Sequence, residues 1–77
     1  MRFSFDPLKS QRLRSNPRRG VGFEEAQQVF LRPYWLDQRS DVPEQYVAVG
    51  WIGDRLYSVI FEIRRDDEGE ILHLVTL

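Results

Sequence analysis

The pattern of apolar and polar positions divides the chain into a helical first half and a second half of alternating strands. Arg2 to Phe5 alternates polar and aromatic, with Phe3 and Phe5 on one side, which predicts a short first strand. Asp6-Pro7 opens a helix. The Asp6 carboxylate accepts from the free amides of the first turn, and Pro7 at the first helical position lacks only an N–H that has no partner there. This helix runs to about Ser15, because Pro17 pushes Asn16 out of the α region and Gly20 and Gly22 loosen the backbone beyond it. Few apolar residues hold it: Leu8 and Leu13. A second helix starts at Phe23, where Phe23, Ala26 and Phe30 share one face at i, i+3 and i+7, and Glu24 and Glu25 sit at the positive end of the helix dipole. Pro33 closes it, Tyr34-Trp35-Leu36 starts a short strand, and Asp37 to Pro43 reads as a polar loop.

Three longer strands follow, Tyr46 to Ile52, Leu56 to Ile63 and Ile71 to Leu77. Gly53-Asp54 suits a two-residue hairpin turn, and Arg65 to Gly69 forms a longer polar turn. In the middle strand Tyr57, Val59, Phe61 and Ile63 face one way, while Ser58, Ile60, Glu62 and Arg64 face the other. The expected architecture is α+β, two N-terminal helices packed on an antiparallel β-sheet in the order β-α-α-β-β-β-β. The last strand is apolar on both sides, Leu72 and Leu74 against Ile71 and Val75, and such a strand expects a cover on each face. Two helices cover one. The other face calls for a further C-terminal helix, a second copy of the chain or a different protein. Because the sequence stops at Leu77 directly after this strand, the expectation is a single domain, residues 1–77, cut short at its C-terminal end.

Composition narrows the chemistry. A chain of 77 residues, 42% of them apolar, makes one small domain, and a domain this small buries only about 60% of its unfolded surface. There is no cysteine and one histidine, His73, so neither a disulfide framework nor a thiolate zinc site is available, and no metal or cofactor is expected. No apolar run approaches the roughly 18 residues of a membrane span, and the N-terminus lacks the apolar segment of a signal peptide. The expected address is cytoplasmic.

The formal net charge of −1 hides an asymmetry. Residues 1–32 carry seven basic and three acidic side chains (+4), residues 33–77 four and nine (−5). Ten of the eleven basic residues are arginine, which makes planar bidentate contacts with phosphate and stacks on bases. Lys9, Arg12, Arg14, Arg18 and Arg19 wrap around the first helix and its exit, the expected RNA-binding surface. The alternative is a solvated set of charges folded back onto the acidic half. Trp35, Trp51, Tyr34 and Tyr46 are candidates for base stacking, or for core.

No catalytic triad, phosphate loop or metal motif is legible. What remains is phosphodiester cleavage by the ribose 2′-hydroxyl, which needs a base, a cation for the phosphorane and a proton donor. Arg64 and His73, on consecutive strands, project to one side if the register allows. Alternatively, His73 is a core-edge histidine satisfied by a neighbour, and Arg64 and Arg65 form a turn with Asp66 and Asp67.

Phe5-Asp6-Pro7-Leu8-Lys9-Ser10, then Gly20-Val21-Gly22-Phe23-Glu24-Glu25-Ala26, then the strands Tyr46 to Ile63 and Ile71 to Thr76, together resemble BrnT-type toxins of bacterial type II toxin–antitoxin modules. The resemblance covers essentially the whole chain and rests on the order and spacing of these segments. It implies a RelE-like fold, a metal-independent ribonuclease that arrests translation, and a cognate antitoxin partner. It also implies site residues. Arg64 matches an arginine that follows the middle strand, His73 stands at an arginine position of the last strand, and Thr76 stands at a serine position. Arg19 stands where a histidine is usual, and the family's basic C-terminal segment and helix are absent from this sequence. A second reading is a truncated, inactive member that binds protein through its uncovered sheet face, as a homodimer or with another partner.

Overall fold

The first strand, β1 (Arg2–Ser4), leads through Asp6 into α1 (Pro7–Ser15). A computed structural model describes all 77 residues. The Asp6 carboxylate accepts the Leu8 amide at 3.0 Å, as an N-cap should. At the far end Asn16 is extended and the chain turns through Gly20, whose φ of +71° belongs to the left-handed region that favours glycine.

Leu13 is the one apolar residue of α1 packed against the core, and polar contacts do most of the rest. Leu8 is 69% exposed, whereas Ser10 is completely buried. The Ser10 hydroxyl accepts the Phe23 amide at 2.8 Å and donates to the Glu24 carboxylate. Arg14 spans to both Glu24 and Glu25. Gly22 is what lets the two segments approach, since a Cβ there would meet Ser10 Oγ at 2.5 Å and the Ser10 carbonyl at 2.9 Å.

The second helix is shorter than the spacing predicts. α2 spans only Phe23–Ala26, and Gln27–Leu31 continues as a 3-10 helix. Phe23, Ala26 and Val29 are the fully buried residues, a spacing of three, while Phe30 lies at the flank against Phe3, Tyr34 and Phe61. Tightening to a 3-10 helix after Ala26 brings Val29, three residues on, rather than Phe30 into line with Ala26 over the sheet.

Asp37 to Pro43 is not the loop that its polarity predicts. Strand β2 runs Trp35–Asp41 and turns through Val42-Pro43 into β3 (Glu44–Ile52). As an edge strand outside the covered part of the sheet, β2 has no need of an alternating apolar face. Gly53-Asp54 forms the two-residue turn expected before β4 (Arg55–Asp66). The next turn is tighter than expected, Asp67-Glu68 alone, with Gly69 at φ +118° opening β5 (Gly69–Thr76).

The five strands lie in the order β1-β5-β4-β3-β2. β2 to β5 form the expected antiparallel meander, but the sheet is mixed, because β1 runs parallel to β5 with Phe3 opposite Leu72. The expectation of an all-antiparallel sheet fails there: a strand that returns after two helices can join the far edge in either direction. The Arg2 guanidinium, bidentate on Asp66 at 2.7 and 3.1 Å, fixes β1 in place.

The core fills one face of the sheet, where Phe23, Ala26 and Val29 meet Ala48, Val59, Phe61 and Leu74. Gly50 carries the 3-10 helix at close range, since a Cβ there would lie 2.9 Å from Val29 Cγ1. No helix is long and apolar enough to cross a membrane.

Candidate functional site

Strand alternation puts Arg64, Glu62, Ile60 and Ser58 of β4 on the face away from the helices, and the register continues that face across the neighbouring strands. Gln45 lies opposite Glu62, Glu62 opposite His73, and His73 opposite Ser4. These four residues form a polar row across β3, β4, β5 and β1.

Its geometry is specific. Ser4 Oγ and His73 Nδ1 are 2.8 Å apart. Gln45 Nε2 donates to Glu62 Oε2 at 2.7 Å, and Arg64 Nη2 to Glu62 Oε1 at 3.1 Å. His73 is half-buried, and its Nε2 has no protein partner. Burial pushes the His73 imidazole below its ordinary value and the nearby Arg64 pushes it further, with Glu62 opposing, so the ring is neutral at pH 7. Bonds from Gln45 and Arg64 hold the Glu62 carboxyl below the usual range.

His73 and Arg64 therefore share a face, two residues apart in the β4–β5 register, as the sequence allowed. Both readings of His73 find a counterpart, because Ser4 occupies one ring nitrogen and leaves the other open. The alternative pairing of Arg64 and Arg65 with Asp66 and Asp67 does not form. Arg64 pairs with Glu62, Arg65 with Glu44 and Glu70, and Asp66 with Arg2. Thr76 pairs with Ile60, beyond an irregularity in the β4–β5 ladder that separates it from the polar row.

The basic wrap lies elsewhere. Lys9, Arg12 and Arg14 belong to α1, and Tyr57, a core-face residue of β4, donates to the Arg19 carbonyl, so this surface is on the helix side of the sheet. Arg14 is engaged by Glu24 and Glu25, while Lys9, Arg12, Arg18 and Arg19 form no ion pair. The structure thus brings Arg64 and His73 together and sets the five basic residues on the opposite side.

No family model, curated protein or solved structure matches this chain.

Apart from Ser58 and Asp37, the rest of the uncovered face is apolar. Trp35 lies opposite Val49, Val47 opposite Ile60, and Trp51 opposite Leu56. Trp35 is 82% exposed, Leu56 56% and Trp51 46%. Of the four aromatics considered for stacking, Tyr46 instead stacks on Phe61 and Tyr34 meets Phe30 edge-on, which leaves the two tryptophans free. Sequence reasoning missed Ser4, Gln45 and Glu62 as parts of the site. Alternation with Phe3 and Phe5 does place Ser4 on the outer face, but nothing local announces that β1 pairs with β5.

Proposed function

We propose that this chain is a BrnT-like toxin domain of RelE-like fold, a metal-independent ribonuclease that arrests translation in the cytoplasm and is neutralised by a cognate antitoxin. The observation that carries the reading is the juxtaposition of His73 and Arg64 on one open sheet face, with Ser4 and Glu62 as their partners. If Nδ1–H donates to Ser4 Oγ, Nε2 keeps its lone pair, and a neutral imidazole is the form a general base needs. His73 then takes the proton of the ribose 2′-hydroxyl as its oxygen bonds to phosphorus. The P–O5′ bond breaks, water protonates the leaving oxygen, and a 2′,3′-cyclic phosphate remains. Arg64 offsets the charge of the phosphorane. Thr76, at the end of β5, is the third catalytic candidate by the resemblance alone.

The test is cleavage of cellular RNA at low salt by the wild-type chain and by the double variant Arg64→Ala with His73→Ala. Cleavage by the wild type and at least hundredfold less by the variant is the expected result; equal cleavage, or none by either, rejects the catalytic assignment.

The exposed Trp35, Trp51 and Leu56 favour a second reading, a non-catalytic module that binds a protein through the apolar half of the face, as a homodimer or with an antitoxin. A chain that stays monomeric at high concentration and binds no hydrophobic dye counts against it.

A further inference from the structure

We infer that the chain has a phosphate-binding pocket at the β3–β4 turn end of the sheet, built by Arg18, Arg19 and Arg55 and separate from the His73 face. The cavity, about 260 Å³, is lined by these three arginines with Tyr57, Ser58 and Leu77 among the others. β5 pairs with β4 only from Ile60 onward, so the β4 edge between Arg55 and Val59 is open on that side.

Three observations point to an anion. Arg2, Arg14, Arg64 and Arg65 each have a carboxylate within 4 Å, whereas Arg18, Arg19 and Arg55, like Lys9, Arg12, Arg32 and Arg39, have none, and among these unpaired cations only Arg18, Arg19 and Arg55 line one cavity together. Asp54, next to Arg55 in the turn, forms no ion pair with them. Next, Arg19 Nε is shielded from solvent without a hydrogen-bond partner. A buried, unmet donor on a charged group is costly, and a small shift of the Arg19 side chain toward an acceptor in the pocket would relieve it. Finally, the segment that carries Arg18 and Arg19 is already fixed. Asn16 Oδ1 accepts the Arg18 amide at 2.9 Å, the Asn16 carbonyl accepts the amides of Arg19 and Gly20, Arg55 Nη2 donates to the Arg18 carbonyl at 3.2 Å, and the Tyr57 hydroxyl donates to the Arg19 carbonyl at 2.6 Å. Arg55 also lies over the Tyr57 ring, 5.2 Å from its centre. Little ordering remains for a ligand to impose.

The volume holds one phosphate group and part of a sugar, and arginine forks match its tetrahedral oxygens better than they match a lone halide. A broader depression of about 550 Å³ on α1, lined by Leu8, Gln11, Arg12, Ser15 and Asn16, has one cation and no unmet donor, and does not qualify. Because Arg18 and Arg19 belong to the expected RNA surface, the pocket deepens that reading by fixing where one phosphate of the nucleic acid sits.

The test is titration of the ¹⁵N-labelled 77-residue chain at low ionic strength with inorganic phosphate, followed by amide shifts. Saturable shifts at Arg19, Arg55 and Ser58 are expected, with affinity lower by about tenfold in Arg18→Gln, in Arg19→Gln and in Arg55→Lys, which keeps the charge and loses the fork. Arg18 is exposed, so its replacement leaves the fold intact as judged by circular dichroism. Absence of saturation at tens of millimolar phosphate overturns the pocket, as does an equal loss in Lys9→Gln, which would mean diffuse attraction. A short RNA with and without a 3′-phosphate then separates the sources: competition that needs the terminal group assigns a monoester, and equal competition assigns the backbone. Phosphate binding does not require cleavage, so loss of the pocket and loss of ribonuclease activity are read independently.

Discussion

At the scale of single residues, His73 connects fold and chemistry. Its imidazole is held below the ordinary value of 6.5, so the unfolded chain binds more protons between the folded and unfolded values. The stability this group contributes is complete above about pH 6.5 and is lost as pH falls through the folded value. No other side chain ordinarily titrates between pH 5 and 7, since His73 is the single histidine. The melting temperature should therefore fall from pH 7 to pH 5 in the wild type and stay nearly flat in His73→Asn; parallel curves would show that the shift is absent. Asp66 acts at lower pH. Arg2 lowers its carboxyl from 3.8 to about 2, so its contribution is present above pH 4 and lost as pH falls toward 2. Ser10 is a different kind of residue, a buried hydroxyl with two polar partners. Ser10→Ala strands the Phe23 amide and should cost about 1–2 kcal/mol in chemical denaturation. Alternation in the middle strand placed Arg64 on the outer face in the sequence, whereas the shared face with His73 waited on the β4–β5 register. The role of Ser10 was not legible, because a serine in a helix looks the same whether it faces water or a neighbouring amide.

At the scale of elements, α1 and the 3-10 segment are attached by different physics. α1 is tied by Ser10, Arg14 and the close approach at Gly22, with little apolar area behind it. Local opening needs few buried contacts to break. Amides of α1 should exchange with deuterium well before those of β3 and β4, and Gly22→Ala, which puts a methyl into Ser10, should speed α1 further at a cost of about 1–3 kcal/mol. Equal protection of α1 and the sheet would contradict this. Caps, turns and the meander were readable from Asp6-Pro7, Gly53-Asp54 and the alternation after Tyr46, all of them local signals. The length of α2 was misread because Phe23, Ala26 and Phe30 fit a 3.6-residue period, whereas packing over Gly50 selects Phe23, Ala26 and Val29. β2 was misread because a polar edge strand carries no hydrophobic period, and its pairing with β3 is a property of the sheet rather than of the segment.

At the scale of the molecule, the sheet has one covered face and one divided between a polar row and an apolar field. The charge asymmetry of the sequence becomes spatial along β4, with Arg18, Arg19 and Arg55 gathered at one end and Asp66, Asp67 and Glu68 at the other. Trp35 and Trp51 make the apolar field the region most prone to self-association. Sedimentation should show concentration-dependent association that Trp35→Ser with Trp51→Ser abolishes without lowering the melting temperature; a monomer at every concentration would reject it. The long-range pairing of β1 with β5 lay beyond sequence reasoning, and it also sets an order of events. Ser4 meets His73 across 69 positions of chain, so during synthesis β1 has no strand to join until β5 has left the ribosomal exit tunnel. Until that moment Ser4 stands without the imidazole it will orient, and the polar row exists only once His73 has emerged.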